Sequence, residues 1–242
     1  MKTFTTYAEI EKLCEAMILD YQKQKKYEAV FCVDIEGFVT EYLGLDIVYE
    51  NFAEEDPGRI GFFSDGKRPL RLSRDGRIQD IVFPENTIVI DRYLLDPCES
   101  GRKRFAIAHE GAHMVVKRHV PFRHESYAFY SEFDRDASYT KTLLREMMNL
   151  QESYANRTAA CLLMPRFMVD RILERHNEGK RLMAYEGMIL SKTGKIRIQR
   201  MADAAGVSFT AFFTRLQELK LIDLRPVEEY FRSNLVVGGS VP

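Results

Sequence analysis

Arg104-Phe105-Ala106-Ile107-Ala108-His109-Glu110-Gly111-Ala112-His113-Met114-Val115-Val116 is the stretch on which the reading of this 242-residue chain turns. On a helix, residues four apart share a face, so His109 and His113 present two imidazoles to one point. This is the H-E-x-x-H spacing of helical zinc sites, with Glu110 beside the ligands as a base. A chain of this composition contains about 0.01 such matches by accident. Phe105, Ile107, Met114, Val115 and Val116 cover nearly every side of the helix, which predicts that it is buried. Two imidazoles and a carboxylate in such a helix are costly unless partnered. A divalent cation would partner all three; the plainer alternative is a pair of histidines hydrogen-bonded within a core.

A hydrolytic zinc site takes a third protein ligand and keeps one position open. The helical stretch 141–163 supplies Glu152-Ser153-Tyr154-Ala155-Asn156, in which Glu152 and Asn156 face the same way. Glu152 can complete a His/His/Glu set, although by itself it reads as an ordinary solvated carboxylate. Asn156 can accept the other ring N–H of His109, a bond that fixes a ligand's tautomer. The helix ends at Met164-Pro165, because proline disfavours helical geometry in the residue before it.

Around this pair the hydrophobic period changes twice. Residues 4–27 and Phe31 to Leu43 have helical spacing, the second stretch stopping at Gly44. Runs at 46–49, 60–63, 78–83 and 87–90 are short and β-rich, separated by Asp-Pro-Gly, Ser-Asp-Gly, Arg-Asp-Gly and Pro-Glu-Asn turns. They predict a small antiparallel sheet over 46–91. From Ser100 the chain reads as helical nearly to its end, with shorter helices at 166–177, 181–191, 195–205 and 208–220. Helices, then strands, then helices indicate an α+β fold. Three parts are expected: a helical segment 1–45, a catalytic domain 46–178, and a helical module with a loosely ordered tail over 179–242.

Composition excludes several classes. With 35 Lys+Arg against 36 Asp+Glu, the net charge of −1 gives no overall attraction for nucleic acid or acidic membranes. No run approaches the ~18 apolar residues of a membrane span, and the amino terminus carries no secretory pattern. Cys14, Cys32, Cys98 and Cys161 are scattered, as reduced thiols of a cytoplasmic protein would be.

The carboxy-terminal segment Arg200–Leu216 reads as helix, glycine turn and Ser208-capped helix, similar to a helix-turn-helix. Residues 192–225 carry a mild positive excess, with Arg215 and Gln217 as the base readers of the second helix. Phe209, Phe212, Phe213 and Leu216 on that helix demand a core, which favours a packing or substrate-docking module over a DNA reader.

The stretch Arg104–His113 resembles the RF-x-x-AHE-x-GH signature of the ImmA/IrrE family of metallo-endopeptidases. Glu152–Pro165 is similar to that family's E-x-x-AN-x-FAA-x-LLMP block. The likeness covers roughly residues 35–225, and departs at Ala112, at Thr158 where a Phe is usual, and in a long spacer from His113 to Glu152. It implies a zincin-like pair of helices against the sheet, one Zn2+ per chain held by His109, His113 and Glu152, and Glu110 as base. It also implies hydrolysis of a peptide bond in a helix-turn-helix repressor, relieving repression in a stress or mobile-element response. Alternatives are a non-catalytic zinc-binding regulator that sequesters a repressor, or a DNA-binding regulator. Arg123, His124, Tyr127 and Tyr130 in the spacer are candidate oxyanion or substrate contacts, and strand 87–90 a candidate edge for substrate addition.

Overall fold

The computed structural model describes residues 6–26, 31–53, 58–119 and 141–234, the side chains of 141–150 and 232–234 excepted. The chain forms two compact units, Met1–Ala29 with Val33–Pro165, and Val30–Cys32 with Arg166–Pro242. The architecture is α+β, as the alternation of periods predicts.

In the first unit, helix α1 (Tyr7–Lys25) opens on a capping box in which the Thr6 side chain and Glu9 satisfy each other's backbone donors. Helix α2 (Ile35–Gly37) runs on into a π-helical turn, Phe38–Tyr42. Strands β1 (Asp46–Glu50), β2 (Gly61–Phe63), β3 (Pro69–Arg74), β4 (Arg77–Val82) and β5 (Thr87–Asp91) follow. They form a three-stranded sheet in the order β1-β5-β2 and a separate β3-β4 hairpin. The antiparallel expectation holds for β2 with β5 and for β3 with β4, but β1 runs parallel to β5, Ile47 opposite Ile88. Strand β5 is therefore the centre of its sheet. Its candidate role as a free edge is corrected: Thr87, Ile88, Val89 and Ile90 are all buried, and both of its sides are paired.

Helix α3 (Ser100–His119) lies against β5 and β2, and helix α4 (Lys141–Leu163) packs on α3 and α1. The burial predicted for α3 is seen: Ala106, Ile107, Ala108, Gly111, Ala112, Met114, Val115 and Val116 are inside. Gly111, a poor helix former, has a packing reason. A Cβ there would meet Val39 Cγ2 of the π-turn at 3.0 Å.

The α1–α4 seam places polar contacts directly behind the residues of the candidate site. Tyr7 Oη lies 3.5 Å from Ser153 Oγ, the Arg157 guanidinium covers the Tyr7 ring, and Glu11 reaches both Arg157 and the Cys161 thiol. Thr158, where the resembled family usually has Phe, is fully buried, with its carbonyl facing the Cys14 thiol.

The second unit contains α5 (Arg166–Asn177), β6 (Leu182–Tyr185), α6 (Lys192–Ala205), α7 (Phe209–Glu218), β7 (Ile222–Arg225) and α8 (Val227–Asn234). The helix expected over 181–191 is instead a strand and a short 3-10 turn, since β6 pairs in parallel with β7. The helix-turn-helix layout stands: Gly206 closes α6 in the left-handed conformation, and the Ser208 side chain accepts the Ala211 N–H to start α7. Arg215 does not stand as a base reader. Its side chain is fully buried in this unit beside Glu218, with Phe212 and Leu216 also inside.

No helix among the described residues is long and apolar enough to cross a membrane.

Candidate metal centre

His109 and His113 project from one face of α3, and Glu152 meets them from α4. His109 Nε2 lies 3.2 Å from His113 Nε2 and 3.3 Å from Glu152 Oε2, and His113 Nε2 lies 3.8 Å from Glu152 Oε1. Tetrahedral ligands at the ~2.0–2.1 Å of zinc–nitrogen and zinc–oxygen bonds stand about 3.4 Å from one another. The three donors already have the spacing that one such ion requires. Among the described residues this is the one cluster of histidine, cysteine and carboxylate side chains able to hold a metal.

Asn156, one turn beyond Glu152, places Oδ1 3.1 Å from His109 Nδ1. An N–H on Nδ1 donates to that oxygen, which leaves the Nε2 lone pair of His109 aimed at the cluster. Two imidazole nitrogens and a carboxylate converging on one point make an electron-rich pocket that a cation satisfies. The fit to a divalent metal is good. The Glu152 side chain is 46% exposed, so the cluster opens to solvent on its α4 side, as a catalytic rather than closed structural site requires.

The electrostatics follow from the crowding. Burial works to lower the pKa of His109. The Glu152 hydrogen bond, the negative charges of Glu110 and Glu152, and Asn156 outweigh it and raise the pKa above the ordinary histidine value. Burial and the neighbouring His109 charge push His113 down to about 4. Glu152 is held low by its bond to His109, against the effect of burial.

Glu110 is 8% exposed and turns toward β2. Burial raises its pKa to about 7, opposed by His109, reinforced by the Glu152 charge, and further opposed by Arg59 and the Phe63 backbone N–H. This buried carboxyl is next in sequence to one of the three converging donors, and a carboxyl so placed is able to carry a proton.

The chain matches the family description "IrrE N-terminal-like domain" over residues 40–217, roughly three quarters of its length. It belongs to the ImmA/IrrE family of metallopeptidases. The match spans the three-stranded sheet, both site helices and the helix-turn-helix-like segment Arg200–Leu216 of this ImmA/IrrE chain, with α1 and α2 preceding it. No curated protein gives a significant match.

The structure brings His109, His113, Glu152, Asn156 and Glu110 together, whereas Arg123, His124, Tyr127 and Tyr130 lie outside the described residues. Sequence reasoning missed the contribution of β2. Gly61 and Phe63 both border the Glu110 carboxylate, and Arg59 stands close enough for its charge to act on it. A signal was available: a glycine inside the apolar run Ile60-Gly61-Phe62-Phe63 marks a close approach.

Proposed function

We propose that this metallopeptidase is a zinc-dependent endopeptidase of the cytoplasm, cutting a peptide bond in a helix-turn-helix transcriptional repressor to relieve repression. The observation that carries the catalytic reading is the three-donor cluster with a buried, near-neutral carboxyl next to it in sequence. The repressor as substrate rests on the family's typical target. A Zn2+ ion held by His109, His113 and Glu152 would supply Lewis acidity and acidify the attacking water.

The chain's own residues do the rest. Asn156 fixes the His109 ring so that Nε2 faces the cluster. Glu110 takes a proton from water at a carboxylate oxygen, then delivers it to the departing amide nitrogen. The shelter of α3 and β2 keeps bulk water from competing for the proton. An extended substrate segment adds to the edge of β2 that no described strand pairs, beside Glu110, because β5 is paired on both sides.

The test incubates zinc-loaded wild type and Glu110→Gln with purified helix-turn-helix repressors from the same genome and follows fragments by mass spectrometry. One repressor cut at one bond is expected, with the variant slower by about 10²–10⁴-fold at unchanged zinc content. Equal cleavage by the variant would remove Glu110 as base. A repressor bound but uncut by wild type would leave a sequestering regulator as the better reading.

A further inference from the structure

Gly61 sits within strand β2, opposite Ile90 of β5, in ordinary extended backbone with no positive φ. Nothing in its conformation calls for glycine, and a glycine in a strand weakens it. What the position cannot spare is room. A Cβ on Gly61 would stand 2.6 Å from Glu110 Oε1, 2.9 Å from its Cγ and 3.1 Å from its Cδ.

The whole carboxyl end of Glu110, with the stem behind it, fills the place a side chain would take. The carboxylate is not free to yield. Glu110 is itself buried on α3, and its carboxyl accepts the backbone N–H of Phe63, a bond that a swing away from β2 gives up.

We infer that Gly61 is a positioning residue: the missing side chain is the seat that sets the Glu110 carboxylate beside the metal-ligand cluster. The functional weight of this seat rests on Glu110 being the base, whereas the contact itself stands apart from that reading. The three heavy atoms nearest to a Cβ at Gly61 all belong to Glu110.

The experiment is a double-mutant cycle on the metal-free full chain, read as thermal midpoints. It uses Gly61→Ala alone and combined with Glu110→Asp or Glu110→Ala. Gly61→Ala alone lowers the midpoint by several degrees or prevents folding. Glu110→Ala, which removes the Oε1, Cδ and Cγ atoms the new Cβ meets, reduces that loss to about one degree or less, and Glu110→Asp, which keeps a Cγ, reduces it only in part, because non-additivity of this kind marks direct contact. Graded rescue, larger with Glu110→Ala than with Glu110→Asp, is the outcome that a fault elsewhere in the strand would not give. A loss of equal size in every background, no loss in any, or failure of the double variants to fold overturns the proposal. Because no metal or substrate enters this cycle, retained cleavage by Glu110→Gln would refute the base reading without touching the result.

Discussion

Asn156 on α4 holds the ring of His109 on α3 through a 3.1 Å contact between Oδ1 and Nδ1, one turn away from the carboxylate that shares the cluster. The same helix thus provides a ligand and the residue that aims another ligand. Partners of this kind typically affect metal affinity by about 10–100-fold. Asn156→Ala is expected to weaken zinc by that factor while keeping one ion per chain at saturation. Asn156→Asp, which retains the acceptor, should lose less. Competition with a chromophoric chelator measures both.

Zinc binding should also depend on pH through one histidine more than the other. His113, pushed down to about 4, is already neutral across the working range. His109, raised above its ordinary value, holds its proton more strongly than a free imidazole, and the metal must displace it. Affinity is therefore expected to fall as pH drops, starting at a higher pH than an ordinary histidine would give. Calorimetry in buffers of different ionisation enthalpy follows the proton release; an affinity flat from about pH 6 to pH 8 would contradict the assignment.

Glu110 should cost the metal-free protein stability at alkaline pH. Its folded pKa of about 7 lies above its ordinary 4.5, so between these values the folded state binds more protons than the unfolded one. Stability contributed by this group is present below 4.5 and declines as pH rises towards 7, by about 3 kcal/mol in all. Glu110→Gln removes the titration. Relative to wild type it should gain roughly that amount between pH 4.5 and pH 8, read from urea midpoints at the two ends.

In the second unit, Arg215 is a buried cation beside Glu218 and has no access to a nucleic acid. Arg215→Ala leaves a void and removes the ion pair to Glu218, an expected loss of about 2–4 kcal/mol. Arg215→Met, filling the volume without charge, should cost less. Local hydrogen exchange over α6 and α7 distinguishes the two variants.

These cases show where the sequence was legible. The site helices could be read because H-E-x-x-H and Glu152 with Asn156 are local patterns, each fixed by one helical period. The π-turn, the parallel β1–β5 pairing and the parallel β6–β7 pairing depend on partners far along the chain. Leu182–Tyr185 contains residues that serve a helix equally well, so pairing with Ile222–Arg225 decided its state. Strand β5 carried an unused clue. Ile88-Val89-Ile90 is a continuous apolar run, the mark of a strand covered on both faces rather than an edge. The seat at Gly61 was visible only as a glycine in a strand; that Glu110 fills it is a tertiary fact.

In the proposed function, His109, His113 and Glu152 together hold one catalytic metal ion. The most direct test is the zinc content of wild type, His113→Ala and Glu152→Ala after zinc loading and gel filtration, with folding checked by circular dichroism. One zinc per wild-type chain is expected, with strong loss in both folded variants. Wild type without zinc, or variants that retain it in full, would show that these three residues do not hold one ion together.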